Sequence, residues 1–199
     1  MTYTKKSLNI GVTSHTIIPV RSTEDIPQLY NKVEIKEINK LIRENIISKE
    51  ENPHSAHNSE KKVKKGEFSI VPMGAVIPKI HHWVHQCQWI NHRHFGYDTY
   101  DNLALDTCNY NIYKEGDEYD WHIDATAAGT ANETKLTWIL DLSEEEYEGG
   151  ELEVIGLKFP PIVTGSGAVF TSLLAHRVTP VTKGTRITLS HWQNGPRWR

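Results

Sequence analysis

The chain has 199 residues, of which 38% are hydrophobic and 24% are charged, and its formal net charge is −3 at pH 7. These values indicate a soluble globular protein with a substantial core, and they exclude a largely disordered chain. No apolar run reaches the roughly 18 residues that a transmembrane helix needs. The N-terminal residues also lack the apolar stretch of a secretory signal, so we expect a cytoplasmic protein.

Two further features limit the classes of ligand. Cys87 and Cys108 are too far apart for a C-x-x-C redox pair or a cysteine zinc site, and we expect both thiols to be reduced and buried. A protein that binds double-stranded nucleic acid usually carries a basic face, whereas this chain is acidic. We interpret its one basic cluster, which sits among acidic and polar residues, as a solvated loop and not as a phosphate-binding patch. The cluster consists of Lys61, Lys62, Lys64 and Lys65.

The first half of the chain predicts two helices separated by a loop. Over 34–49, apolar residues recur at steps of three and four with charged residues between them. Over 50–65 this periodicity is lost, which predicts a loop that we expect to be mobile. A second helix is predicted over 79–91, where apolar residues form one stripe and Pro78 precedes the first turn.

The second half predicts a compact β unit. From about residue 94, short segments rich in β-branched and aromatic residues alternate with glycine-containing turns. This pattern predicts a mainly β fold with N-terminal helices, arranged as a sandwich or barrel. We expect residues 1–93 to form a helical support region with a mobile loop and residues 94–199 to form the β core, within a single domain overall. The predicted strands are 103–113, 134–142, 151–155, 168–172 and 186–192.

His122 and Asp124 are the first candidates for a functional site. Residues two apart on a strand point the same way, so this imidazole and this carboxylate would converge on one ion. The chain has 11 histidines, so the H-x-D pair alone is weak support for a metal site. His176 is the natural third ligand, because it lies in the apolar segment LAHRV, where an unpaired imidazole would be costly. Two histidines and one carboxylate are a ligand set typical of non-haem Fe(II).

Arg186 is the candidate for binding an anion. It lies ten residues after His176 in the β-branched segment TRITL, where an arginine is unusual unless an anion meets it. A guanidinium group binds a carboxylate through two parallel hydrogen bonds. Thr188 would offer a hydroxyl group on the same side of the strand. An ordinary ion pair is the alternative for Arg186 taken alone, and the order of all these residues favours a metal next to a carboxylate ligand.

Two other groups of histidines provide alternatives. His81 and His85 lie four residues apart on the second predicted helix and could bind zinc, but the glutamate of an H-E-x-x-H motif is absent. We interpret them as part of a solvated helix face. His92 and His94 form an H-x-H pair, but no glutamate follows at ligand spacing. Neither group is as well supported as the first.

Three segments of the chain resemble one enzyme family. They are YNIYKEGDEYDWHID (110–124), YEGGEL (147–152) and HRVTPVTKGTRITLSHW (176–192). Together they resemble the catalytic core of the 2-oxoglutarate/Fe(II) dioxygenases of the prolyl 4-hydroxylase type, including the bacterial PKHD-type hydroxylases. The resemblance implies a double-stranded β-helix, or jelly roll, flanked by the N-terminal helices.

The resemblance also implies an enzyme that hydroxylates a C–H bond. It implies that Fe(II) is held by His122, Asp124 and His176, with O2 as oxidant and ascorbate as a candidate reductant. Succinate and CO2 would be released from 2-oxoglutarate. Related halogenases carry a small residue in place of the carboxylate, so Asp124 favours hydroxylation over halogenation.

The family places the co-substrate at a second set of residues. Arg186 corresponds to the residue that pairs with the far carboxylate of 2-oxoglutarate, and Thr188 would assist it. Tyr113 falls where relatives place a tyrosine against the same carboxylate. Some relatives use lysine at the position of Arg186, so this chain follows the arginine-using branch.

The substrate is less well defined. The resemblance favours a peptide or protein side chain such as proline, and a small molecule or free amino acid stays an alternative. Nucleic-acid demethylases of this fold carry a second arginine six residues after the first, where this chain has Trp192. A non-catalytic binding protein is disfavoured because all four key positions are filled. The loop over 125–133 is either a lid or a plain surface turn, and the oligomeric state is open.

Overall fold

A computed structural model describes residues 18–20, 29–51, 64–124, 134–155 and 161–197. Lys61 and Lys62, most of the loop predicted over 50–65 and the whole loop over 125–133 lie outside these residues. Within them, no helix has the length and apolar character needed to cross a bilayer. Cys87 and Cys108 are both free and buried.

The largest element is a seven-stranded sheet in which every strand pair is antiparallel. Its strands are, in spatial order, β1 (Ile18–Val20), β9 (Gly167–Thr171), β6 (Thr134–Asp141), β12 (Arg186–Asn194), β4 (Thr107–Tyr113), β3 (Glu67–Pro72) and β2 (Ser48–Glu51). The central strand β12 therefore pairs with β6 on one side and β4 on the other. The predicted mainly β fold with N-terminal helices is confirmed.

Two smaller antiparallel sheets accompany the main one. The first contains β5 (Tyr119–His122), β10 (His176–Val178) and β8 (Leu152–Val154), in that order. The second contains only β11 (Val181–Lys183) and β7 (Glu148–Gly149). A small apolar cluster, with Ile139 and Phe170 from the main sheet and Leu152 and Val154 from β8, packs the first of them onto the main sheet.

Helix α1 is shorter than its periodicity predicts. It spans Lys32–Glu44 and begins with a capping box, in which the Asn31 side chain accepts from the amide of Glu34 and the Glu34 carboxylate accepts from the amide of Asn31. The sequence predicted helix to residue 49. Instead the chain leaves the helix after Glu44, and Ser48–Glu51 pairs with β3, so strand pairing overrides the helical pattern there.

Helix α2 is longer than predicted, spanning Met73–Ile90 and followed by a π-helical turn over Asn91–Phe95. Pro78 lies inside it, and the backbone leaves helical geometry at Ile80, with φ of −111° and ψ of 15°. A proline lacks the amide hydrogen and crowds the turn that precedes it, so Pro78 weakens the helix on its N-terminal side. The predicted apolar stripe is confirmed, because Ile80, Trp83, Val84, Cys87 and Ile90 are all buried.

The N-terminal region contributes strands as well as helices, and these strands were not predicted from the sequence. β3 lies between β2 and β4, so residues before 94 complete the same sheet that carries β12. The strand predicted over 103–113 also begins later, because Leu103–Leu105 forms a 3-10 turn before β4. We propose that the chain is a single domain, since both helices pack on the core of this shared sheet.

The helices cover one face of the main sheet and leave the other face for the candidate site. Trp83 of α2 meets Trp138 of β6 edge to face, with ring centroids 5.8 Å apart. Thr137 and Ile139, the neighbours of Trp138 on β6, line a cavity on the opposite face. This alternation gives the sheet an apolar side under the helices and a partly polar side at the cavity.

We predict that Asn39→Ala destabilises the fold by about 1–3 kcal/mol, because it leaves buried polar groups without partners. Asn39 is fully buried; its amide group donates to Leu142 O at 2.8 Å and its oxygen accepts from the Tyr110 hydroxyl at 3.0 Å. Urea unfolding measures the change. The control Lys40→Ala alters a side chain that is 77% exposed, so it should shift stability by less than about 0.5 kcal/mol. Equal effects of the two variants would contradict this account.

Candidate active site

The three predicted metal ligands come together at one end of the three-stranded sheet formed by β5, β10 and β8. His176 opens β10 and lies directly opposite His122 of β5 in the strand register. β5 ends at His122, so Asp124 lies just beyond the strand and not on it as predicted. The His122 Nε2 and His176 Nε2 atoms lie 3.6 Å and 3.4 Å from the Asp124 carboxylate oxygens. All three ligand atoms fall within 4.8 Å of one another, which is close enough to share one ion.

Hydrogen bonds fix both imidazole rings. The Nδ1 atom of His122 lies 2.8 Å from Asp120 O, and Nδ1 of His176 lies 2.9 Å from Leu174 O. A backbone carbonyl can only accept, so each Nδ1 carries the hydrogen and each Nε2 presents a lone pair to the cluster. Fixing the far nitrogen in this way is how proteins orient histidine ligands of metals.

The protonation states also suit metal binding. Burial and the neighbouring His176 lower the pKa of His122 to about 4, so its ring is neutral near pH 7. Burial raises the pKa of Asp124, but the two histidines and hydrogen bonds from Thr137 and Trp192 outweigh it, and the net pKa lies below its usual value. A neutral imidazole and an ionised carboxylate are the forms that bind a cation.

A second layer of side chains holds the cluster in place. The Thr137 hydroxyl donates to Asp124 Oδ2 at 2.6 Å and lies 3.0 Å from the Ser172 hydroxyl. Tyr119 stacks on His122 with ring centroids 3.6 Å apart, and the ring of Phe170 meets His176 edge to face. Thr137 could not be predicted from the sequence, because no local pattern reveals that β6 passes beside the H-x-D segment.

Arg186 lies at the other end of the same cavity. It is the first residue of β12, opposite Tyr113 of β4, and only 2% of its surface is exposed. Its Nε atom has no hydrogen-bond partner, and among the described residues it forms no ion pair with a carboxylate. The guanidinium carbon lies 5.6 Å from the centre of the Tyr113 ring. A buried cation without a counterion favours an anionic ligand at this point.

Gly150 makes room for Arg186. Its φ of +61° is in the left-handed region, and a Cβ atom there would lie 2.8 Å from the Cδ atom of Arg186. The Tyr147 hydroxyl, on the same turn, donates to Asp141 at 2.7 Å. The segment YEGGEL thus packs against the arginine, and this close contact requires a glycine at position 150.

Thr188 and Tyr113, the other two predicted co-substrate residues, lie in the same cavity. Both are buried and line the cavity beside Arg186. The Thr188 hydroxyl accepts from the Asn111 amide group at 3.4 Å. Burial raises the pKa of Tyr113 well above its ordinary value, so its phenol stays protonated and can donate a hydrogen bond. The cavity measures about 150 Å³, a volume that accepts a molecule about as large as benzene.

Lys64 also lines the cavity, which the sequence did not predict. The prediction of a solvated loop is wrong for it, because Lys64 is only 6% exposed and lines the cavity. Burial lowers its pKa to about 7, against the opposing effect of Asp124. The neighbouring Lys65 does match the prediction, since it is exposed and pairs with Glu118 at 2.6 Å. The run KKVKK gives no sign of which lysine turns inward.

The other histidine groups stay on the surface. His81 and His85 are exposed on α2, which agrees with a solvated helix face. His92 and His94 are also exposed, in the π-helical turn that follows. Among the described residues, the cluster of His122, Asp124 and His176 is the one group of three candidate ligands close enough to hold an ion.

The sequence of residues 108–194 matches the 2OG-Fe(II) oxygenase superfamily, whose members use Fe(II), 2-oxoglutarate and O2. A PKHD-type hydroxylase of Acidovorax ebreus is 36% identical over 92 residues, which are 42% of this chain and 40% of that protein. One of Hyphomonas neptunium is 40% identical over 85 residues, 39% and 38% of the two chains. The chain thus spans about 40% of the length of these relatives. The predicted family resemblance is confirmed.

Solved structures show the fold. A prolyl-4-hydroxylase of Pseudomonas putida superposes with a TM-score of 0.63 and 17% identity, covering 92% of this chain and 94% of that one. A viral collagen prolyl hydroxylase of Paramecium Bursaria Chlorella virus-1, in complex with 2OG, gives a TM-score of 0.63 and 19% identity, covering 92% and 97%. The predicted double-stranded β-helix core is confirmed.

We predict that Thr137→Val lowers Fe(II) affinity by about 10- to 100-fold, the usual effect of removing a group that orients a metal ligand. The variant keeps the shape of the side chain but removes the hydrogen bond to Asp124. Anaerobic titration with Fe(II) measures the change. The control Thr134→Val makes the same substitution on the same strand, where the hydroxyl instead contacts Asn194 at 3.1 Å. Wild-type affinity in the Thr137 variant would contradict the role assigned to this hydroxyl.

Proposed function

We propose that this chain is a hydroxylase that uses Fe(II), 2-oxoglutarate and O2. The proposal starts from the match of residues 108–194 to the 2OG-Fe(II) oxygenase superfamily. One observation carries the proposal. The cluster of His122, Asp124 and His176 shares a small cavity with Arg186, a buried cation that pairs with none of the described carboxylates. A site for a cation and a site for a carboxylate therefore lie in one pocket, as a chelating 2-oxo dicarboxylate requires.

The donor set fits a ferrous ion. His122 and His176 would bind through Nε2 and Asp124 through its carboxylate, which leaves other coordination positions free for exogenous ligands. When bound, Fe(II) supplies the redox chemistry that couples decarboxylation of 2-oxoglutarate to oxygen transfer, with succinate and CO2 as products. The protein side chains keep the ligands deprotonated and oriented, as their hydrogen bonds support.

Arg186 would bind the distal carboxylate of 2-oxoglutarate. Thr188 lies two residues along β12 on the same face, and the Tyr113 phenol stands opposite Arg186. Three donors of different geometry would then surround one carboxylate, which favours a dicarboxylate over a monocarboxylate. The dry surroundings strengthen each of these hydrogen bonds.

We further propose that the substrate is a peptide or protein side chain. The two fold neighbours are named prolyl hydroxylases, and this chain has Trp192 where nucleic-acid demethylases of this fold carry an arginine. The Trp192 side chain lines the same cavity as Asp124 and lowers the pKa of that carboxylate, so it supports the metal site instead of a phosphate. The free thiols of Cys87 and Cys108 are consistent with a location in the reducing cytoplasm.

The metal and co-substrate roles are tested by two variants. We predict that His176→Ala abolishes tight Fe(II) binding, while the exposed control His85→Ala leaves it unchanged.

We predict that Arg186→Ala still binds iron but loses about 2–5 kcal/mol of 2-oxoglutarate affinity, the usual loss when one partner of a buried charge pair is removed. The control Arg177→Ala removes an exposed arginine paired with Glu153. Full iron loading of His176→Ala, or unchanged 2-oxoglutarate affinity in Arg186→Ala, would refute the corresponding assignment.

The substrate class needs its own experiment. Enzyme, Fe(II), 2-oxoglutarate and ascorbate are incubated with a protein extract, with methylated oligonucleotides and with free amino acids. The expected result is a peptide that gains the mass of one oxygen atom, and that gain should be absent with His122→Ala. Turnover of only the oligonucleotides or only a free metabolite would overturn the proposed substrate class and leave the proposed reaction intact.

A further inference from the structure

Lys64 places a second buried cation in the cavity that already contains Arg186. We propose that Lys64 is a second anchor for 2-oxoglutarate, and that its ammonium group and Arg186 together bind the distal carboxylate. This inference rests on the function proposed above and adds a residue to it. Lys64 lies outside the matched residues 108–194, so the family comparison says nothing about its role.

The backbone around Lys64 directs the side chain inward. Lys64 forms a β-bridge with Tyr119, and the amide of Lys65 donates to Glu118 O at 2.9 Å. These bonds join the chain just before β3 to the start of β5, the strand that ends at His122. Lys64 is therefore fixed over the cavity by the same strand that carries a metal ligand, while the side chain of Lys65 points to solvent.

The contacts of Lys64 place its ammonium group close to the Arg186 end. Its Nζ atom donates to Asn111 Oδ1 at 2.5 Å, and the Asn111 amide group donates to Thr188. Asn111 pairs with Thr188 in the register of β4 and β12, next to the pair of Tyr113 and Arg186. Both cations lie 5.6 Å from the centre of the Tyr113 ring, so they are separated by no more than twice that distance.

The balance of charge in the cavity calls for an anion. Two cations, Lys64 and Arg186, face one carboxylate, Asp124, whose oxygen atoms already contact the two histidines and Thr137. Lys64 forms no ion pair with any described carboxylate, and among the described residues Asn111 is the one hydrogen-bond acceptor for its ammonium group. A dicarboxylate with one end at the metal would bring its second carboxylate to both cations and offset part of their charge.

Aromatic rings enclose the ammonium group but do not replace the anion. Nζ lies 5.2 Å from the centres of the Phe68 and Tyr119 rings as well as near Tyr113. Such contacts favour a cation, yet burial still lowers the pKa of Lys64 to about 7. The rings therefore leave Lys64 only partly protonated near neutral pH, and a bound carboxylate would complete the charging.

This gives the wild-type protein a characteristic pH dependence. The ionisable groups facing Lys64 are Tyr113 on β4, Tyr119 on β5, Asp124 just beyond β5, and Arg186 on β12. Both tyrosine pKa values are raised by burial, so between pH 7 and 9 Lys64 is the group among these that changes charge. Binding of the carboxylate then takes up a proton, and affinity should fall by up to about tenfold per pH unit above pH 7.

The experiment is an anaerobic titration of 2-oxoglutarate into the Fe(II)-loaded protein at pH 6.5 and pH 8.5. We expect Lys64→Met to weaken binding at pH 6.5 by at least about tenfold while Fe(II) affinity is kept. Lys64→Arg should stay within a few-fold of wild type at pH 6.5 and lose the pH dependence, because its guanidinium group does not titrate. Lys65→Met is the matched control and should behave as wild type.

Several results would overturn the proposal. They are a Lys64→Met affinity within twofold of wild type or, where that variant fails to fold, a Lys64→Gln affinity within twofold of wild type. If wild-type protein binds Fe(II) but no 2-oxoglutarate at either pH, the proposed function fails instead. Weaker binding by Lys64→Met alongside normal binding by Arg186→Ala would remove the shared carboxylate from the account.

Discussion

The buried guanidinium group of Arg186, which pairs with no carboxylate of the described residues, is the constraint on which this site depends. Taking a charge out of water is costly unless an opposite charge meets it, and Arg186 is held in place by Gly150 beneath it and Tyr113 opposite it. The candidate metal ligands lie in the same cavity, so a dicarboxylate held there at one end would bring its second carboxylate to Arg186 and offset this cost. Under the proposed function, the arrangement of charge, and not size alone, makes the pocket selective for a chelating dicarboxylate.

The sheet builds this arrangement through simple alternation. Along β12, Ile187 and Leu189 face the helices while Arg186, Thr188 and Ser190 face the cavity. The paired strands β4 and β6 follow the same rule, so each strand contributes to the core and to the site at once. The helices therefore act on the site indirectly, because their packing on one face fixes the register that places polar residues on the other.

The sequence predicted those parts of the site that depend on local spacing. His122, Asp124 and His176 could be found because each stands in a short strand-like segment, and Arg186 because a charge among β-branched residues is unusual. Lys64 and Thr137 could not be found, because their roles depend on contacts between segments far apart in the chain. The same holds for β3, which pairs with β4, and for β2, whose pairing with β3 overrides the helical periodicity from residue 48.

A crystal structure of the wild-type protein, grown without oxygen in the presence of Fe(II) and 2-oxoglutarate, tests the central claim most directly. We expect one iron bound by the Nε2 atoms of His122 and His176 and by the Asp124 carboxylate. We also expect the distal carboxylate of 2-oxoglutarate to be hydrogen-bonded to Arg186, with Lys64 in contact. Iron at other residues, or a distal carboxylate that points away from Arg186, would contradict it.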